Sequence, residues 1–133
     1  MAVIGKKISG KTKEEILLSL LKKQRKYYGA ILELGREEAR ILSKGQASKG
    51  LQCLIRKKKI LFACIDEIED ALKPLKRFWK EKTDRSDPIS MDVCQELVEI
   101  DLMLQALLQL DEANQEMLKN ILSSLAQKKK LLV

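Results

Sequence analysis

The side chains of this chain that could do chemistry are few, and their spacing works against them. Three cysteines, Cys53, Cys64 and Cys94, are the soft nucleophiles and metal ligands present, and there is no histidine at all. Cys53 and Cys64 stand eleven residues apart. On a helix that places them on one face but roughly 16 Å apart, too far for a disulfide or a shared metal ion. An odd cysteine count with no CxxC pair points to a reducing compartment, and the expected role of these residues is that of small, half-buried side chains. The carboxylates Asp66-Glu67-Glu69-Asp70 could suggest acid–base or metal chemistry. At helical spacing they are expected instead to face water and pair with lysines. Without histidine the commonest general base and metal ligand is missing. No glycine-rich phosphate loop or nucleophile elbow replaces it. The expectation is a protein that is not an enzyme, with no catalytic residues, no metal and no cofactor.

The basic runs Lys22-Lys23-Gln24-Arg25-Lys26 and Arg56-Lys57-Lys58-Lys59 could contact phosphates. Aromatics do not interleave with them as stacking platforms would, and the charge of the whole chain is divided. Residues 1–85 carry 22 Lys+Arg against 11 Asp+Glu, a net of +11, whereas residues 86–126 carry one lysine against 8 acids. Lys128, Lys129 and Lys130 follow, and the chain totals +7. Two basic helices packed on an acidic one would compensate much of this field internally. Specific nucleic-acid binding is therefore not expected. Weak, salt-sensitive binding of nucleic acid or an anionic surface is left to the runs, to residues 1–11 and to Lys128–Lys130.

The elements that carry these residues follow from periodicity. The chain has 133 residues, 45% of them apolar and only 4% aromatic. That suits one helical domain better than a sandwich or barrel. Residues 1–11, with Gly5 and Gly10, read as a flexible basic arm. Thr12-Lys13-Glu14-Glu15 fits a capping box and opens a helix over about 12–43. Its seam runs Leu17, Leu20, Gln24, Tyr27, Ile31, Leu34, Glu38, Ile41. Gly45 suits a left-handed C-terminal cap. A second helix, opened near Ser48, spans about 48–82 along Leu51, Leu54, Lys58, Leu61, Ile65, Ile68, Leu72, Leu75, Trp79. Pro74 predicts a kink near residues 70–74 rather than a stop, because the seam resumes after it. Either Asp87, with Pro88 at the first helical position, or Ser90 caps a third helix over about 90–131. Its seam runs Val93, Leu97, Ile100, Leu104, Leu107, Asp111, Asn114, Leu118, Ile121, Leu125. The aromatics Tyr27, Tyr28, Phe62, Phe78 and Trp79 lie at or beside seams and are read as core or end-plugs.

The fold class is then all-α: three long helices in an antiparallel up-down-up, coiled-coil-like bundle spanning residues 12–133. The third helix is the longest. Folded back on the second, with Trp79 near Met91, it brings Leu51 opposite residue 119 and projects beyond both partners from about Ile121. The projecting part keeps Ile121, Leu122, Leu125, Leu131, Leu132 and Val133, an apolar stripe that calls for cover. A partner helix docked there is the favoured cover, and homodimerisation through the same stripe is the alternative. No apolar run reaches the roughly 18–20 residues of a membrane span, and the first residues lack the apolar core of a secretory signal. A cytoplasmic protein without membrane insertion is expected.

Three stretches together resemble the FlgN/FliT type of flagellar (type III) export chaperone, over roughly residues 14–131. They are Ile31-Leu32-Glu33-Leu34 through Leu42; Leu51 to Leu72, centred on Lys57-Lys58-Lys59-Ile60-Leu61; and Leu107-Leu108-Gln109-Leu110-Asp111-Glu112-Ala113-Asn114-Gln115-Glu116-Met117-Leu118. That family tends to show a Glu/Ala-rich first helix, a short turn with Gly or Asp, a second helix with lysine before Leu, and a late Leu-rich helix bearing Asn. The strong basic charge, Pro74 and the Phe78-Trp79 pair depart from that pattern. The resemblance implies a cytoplasmic chaperone of bacterial flagellum biogenesis. It would bind the amphipathic C-terminal helix of a hook-associated (hook–filament junction) protein, prevent its premature assembly and deliver it for type III export, with export-gate components as further contacts. Leu118, Ile121, Leu122 and Leu125 would bind the partner. Asp111 and Asn114 would be polar seam positions that fix register. The rival roles are a structural coiled-coil adaptor that homodimerises, and the weak anion binder above.

Overall fold

The computed structural model describes residues 12–46 and 49–132. Within them lie three α-helices, α1 (Lys13–Ser43), α2 (Lys49–Glu81) and α3 (Pro88–Leu132), of 31, 33 and 45 residues. At about 1.5 Å per residue they are roughly 46, 50 and 68 Å long. The basic arm expected at 1–11, the cap expected at Ser48, and Val133 lie outside the described residues, as does the side chain of Leu132.

Cross-helix bonds set the topology. Glu14, Gln24 and Glu38 of α1 meet Lys82, Glu69 and Lys58 in that order, so α2 runs antiparallel to α1. Glu14, Arg25 and Gly35 meet Ser90, Glu96 and Asn114, so α3 runs parallel to α1 and completes an up-down-up bundle. The expected docking of α3 on α2 is made through side chains: Lys58 reaches Asp111 at 3.6 Å, and Leu51, Ile55 and Leu118 line one cavity. α1 packs against both other helices, whereas no Cα of α2 lies within 8 Å of a Cα of α3 among the described residues. Gly35 is buried and a Cβ there would meet Leu110 Cδ2 at 2.9 Å, so the Leu110 side chain of α3 packs directly on the α1 backbone. Arg25 then adds ion pairs to Glu96 and Glu99 at 2.6 and 3.3 Å.

Seam residues fill the interior. Leu17, Leu21, Ile68, Leu72, Trp79, Val93 and Ile100 form one buried cluster, and Ile31, Ile65 and Leu107 a second. Burying each such side chain contributes about 1.5–3 kcal/mol over leaving it exposed. Tyr27 and Tyr28 pack against both clusters. Burial, with Glu69 and Asp66 nearby, raises the Tyr28 phenol above its ordinary value. Trp79 and Val93 belong to the same buried cluster, and Met91, the residue expected near Trp79, is exposed. Phe62 is 39% exposed rather than a core residue or plug.

The helix ends follow local chemistry. Thr12 Oγ1 accepts from the Glu15 amide at 3.1 Å. α2 continues through Pro74, whose position is exposed, so water can reach the carbonyl that loses its amide donor. Gly45 closes α1 at φ 73°, donating to the Leu42 carbonyl at 2.9 Å. A Cβ in this left-handed region is strained. Gly45→Ala should therefore destabilise the bundle by about 1 kcal/mol, measured as a shift of the urea midpoint at constant slope.

Asp87 is the cap of α3, with Pro88 at the first helical position: Asp87 Oδ2 accepts from the Ser90 amide at 3.1 Å. The Ser90 hydroxyl donates to Asp87 Oδ1 at 2.6 Å, and Lys82 Nζ donates to Asp87 and to Ser90 Oγ at 3.0 and 2.9 Å and also reaches Glu14. These bonds, the Ser90 hydroxyl first and Lys82 second, hold the Asp87 carboxyl well below the usual carboxylate range. A depressed carboxyl stabilises the fold above its unfolded pKa, about 4. That contribution is lost as pH falls through the lowered folded value. Ser90→Ala should move the Asp87 titration, followed by carboxyl-carbon NMR, up toward 4.

Candidate functional site

The seams of the three helices are broken by Gln24, Glu38, Lys58, Asp111 and Asn114, and the fold gives each break a partner. Gln24 donates to Glu69 Oε2 at 2.7 Å. Burial pushes the Glu69 carboxyl up, but its bonds to Lys76 and Gln24 outweigh this and leave it lowered. The other four converge at one level. Lys58 Nζ lies 2.9 Å from Glu38 Oε1 and 3.6 Å from Asp111 Oδ1. Asn114 Nδ2 donates to the Gly35 carbonyl at 3.0 Å. Glu38, Lys58 and Asn114 are 5%, 9% and 3% exposed, and Asp111 is half-buried. The expectation of Asp111 and Asn114 as polar seam positions thus finds them facing α2 and α1.

This level is incompletely satisfied. Asn114 Oδ1 is buried without a hydrogen-bond partner. Glu38 Oε1 has the ionic neighbour Lys58, but off the direction of an aligned hydrogen bond. Both residues, with Lys58, Asp111 and Gln115, line a half-open cavity of about 210 Å³. Its remaining wall is apolar: Leu42, Leu51, Ile55 and Leu118. Leu51 and Leu118 sharing this wall agrees with the register expected from helix lengths.

Immediately beyond the cavity α3 leaves its partners. Leu118 and Ile121 are half-buried, Ile121 beside Gly45 and Leu125 around a shallow hollow of about 260 Å³. Leu122 and Leu125 are 53% and 51% exposed, and every described side chain from Leu122 to Leu131 is exposed. Leu118 and Leu125 each stand three or four residues from the adjacent pair Ile121 and Leu122, so the four form one stripe, continuous with Asn114. They are not equivalent: Leu118 belongs to the end of the bundle, and Leu122 and Leu125 belong to the surface. No acidic residue occurs over 117–132, while Lys119, Lys128, Lys129 and Lys130 do, so the projecting end is positive.

The other candidate groups disperse. Cys53 and Cys94 are exposed and only Cys64 is half-buried, against the expectation of three half-buried thiols. Asp66, Glu67 and Asp70 face water and Glu69 alone turns inward. Among the described residues no three His, Cys, Asp or Glu side chains converge to hold a metal ion. Of the basic runs, Arg25 pairs with α3 and Lys58 turns inward. Lys22, Lys23, Lys26, Arg56, Lys57 and Lys59 are exposed. No described helix is long and apolar enough to cross a membrane.

Glu38 and Lys58 are the members of this site that the sequence reading passed over. The available signal was that Lys58 is the one break in the α2 seam and Glu38 one of two, with Gln24, in the α1 seam. Comparison of the chain with models of known families, with curated proteins and with solved structures finds no match in any of the three.

Proposed function

We propose that this chain is a non-enzymatic cytoplasmic chaperone whose projecting third helix captures an amphipathic helix of a secreted protein. The FlgN/FliT-like sequence pattern makes the C-terminal helix of a hook-associated flagellar protein the expected client, held unassembled until type III export. The supporting observation is the exposed apolar stripe of Leu122 and Leu125 on a helix end that neither α1 nor α2 accompanies. Such a stripe seats a partner helix face to face, and Ile121 and Leu118 continue it into the bundle. The lysines around it favour a client helix with acidic flanks.

The test is capture by the tagged chain from nuclease-treated lysate of its source cells, washed at low and high salt, with cross-links mapped by mass spectrometry. A hook-associated protein retained at high salt and cross-linked within residues 118–125 is the expected result. Bait alone, with a mass by light scattering that doubles with concentration, would replace this reading by homodimerisation through the same stripe. Nucleic acid released at high salt would replace it by binding through the basic runs.

A further inference from the structure

The cavity at the root of the projecting end has a chemistry of its own, and it limits what can enter. It offers acceptors: the orphaned Asn114 Oδ1, the poorly aligned Glu38 Oε1 and the Asp111 carboxylate. Two carboxylates share one ammonium, Lys58, so the ionised cluster carries one net negative charge. An anion would be repelled. A purely apolar group would seal the orphaned Asn114 Oδ1 away from any donor. The apolar wall of Leu42, Leu51, Ile55 and Leu118 fits an aliphatic stem carrying the donor, as lysine and arginine lay theirs along apolar surface.

We propose that this cavity is an anchor site for a cationic hydrogen-bond donor on an aliphatic stem, a lysine or arginine side chain projected from the client helix. The assignment rests on the overhang being a helix seat and adds to it the identity of one client residue. Asn114 and Leu118 lie on the same stripe as Ile121 and Leu125, so a helix laid along the stripe passes over the cavity mouth. The cation neutralises the cluster and donates to Asn114 Oδ1. The client is then an amphipathic helix with acidic flanks and one basic residue set within its apolar face.

The test uses the full-length chain labelled with ¹⁵N and methyl ¹³C, titrated with n-butylguanidinium, n-butanol and butyrate. The expected result is a saturable shift of the Asn114 side-chain amide and Leu118 methyls with n-butylguanidinium. Its affinity should exceed that of n-butanol by about tenfold, the ratio a single charged hydrogen bond supplies, with no response to butyrate. Asp111→Asn removes a half-exposed charge with little change of shape. It should weaken the guanidinium response several-fold while the remaining spectrum is retained. No saturable shift, equal affinity for n-butanol, or preference for butyrate would overturn the proposal. Capture of a client helix is read separately. Capture without a guanidinium response removes the anchor and leaves the overhang reading standing, and a guanidinium response without capture does the reverse.

Discussion

Replacing Leu122 and Leu125 together by aspartate is expected to weaken client binding by at least about a hundredfold, because each leucine buried at the centre of a helix seat is worth about 2 kcal/mol. The same variant should keep the stability of the bundle within about 0.5 kcal/mol, as surface substitutions do. Both side chains are more than half exposed without a client, so little native packing is lost. Affinity is read by calorimetry with the captured helix as a synthetic peptide, and stability by urea unfolding of the same samples. Unchanged affinity would remove the stripe from the binding surface. A lower urea midpoint would mean that residues 122–125 help hold the bundle. Leu118→Asp is the instructive contrast. Leu118 is half-buried in the wall shared with Leu42, Leu51 and Ile55, so its replacement should lower stability and binding together.

The second large effect is inside the bundle. Lys58→Met should destabilise the fold by about 3–5 kcal/mol, the cost of leaving a buried charge without its partner. Glu38 is 5% exposed and Lys58 is its ionic neighbour at 2.9 Å. Glu38→Gln alone leaves Lys58 close to Asp111, which is half-buried and partly solvated, so its cost should be smaller. The double variant Glu38→Gln/Lys58→Met should recover much of the loss, since it removes both charges. Urea unfolding of the four proteins measures the coupling directly. Additive losses would mean that the pair is energetically silent, and that Asn114 with its bond to Gly35 alone sets the register at this level.

The cycle also separates two meanings of a polar residue in a seam. As isolated interruptions, Glu38, Lys58 and Asp111 each weaken a heptad. As a cross-helix cluster they oppose a one-heptad slip of α2 or α3 along α1, because any slip strands at least one charge in the core. Asn114 adds a constraint of the same kind through the Gly35 carbonyl, to which its side-chain amide donates.

The Thr12 cap, the three helices, their order and the excess length of α3 were legible along the chain, and Asp87 was one of the two caps the spacing allowed for α3. Each is a local property: the 3.6-residue period, Thr12 and Asp87 at helix starts, Gly45 at a helix end. The register between Leu51 and the Leu118 region was legible too, because antiparallel neighbours of known length joined by short loops have little freedom. The projecting stripe of Leu122 and Leu125 followed from the same arithmetic. Which pairs of helices approach most closely was not legible. Three amphipathic seams can be closed in more than one way, and α1 meets α3 where Leu110 packs on Gly35 and Arg25 reaches Glu96 and Glu99. Nor could spacing show that breaks on three different helices would meet at one level. Periodicity states that a side chain faces inward, but what it meets there depends on the axial offset between helices. That offset is a property of the packed bundle. Leu118 and Leu122, alike in the sequence, are for the same reason divided into bundle and surface only by where α1 and α2 end.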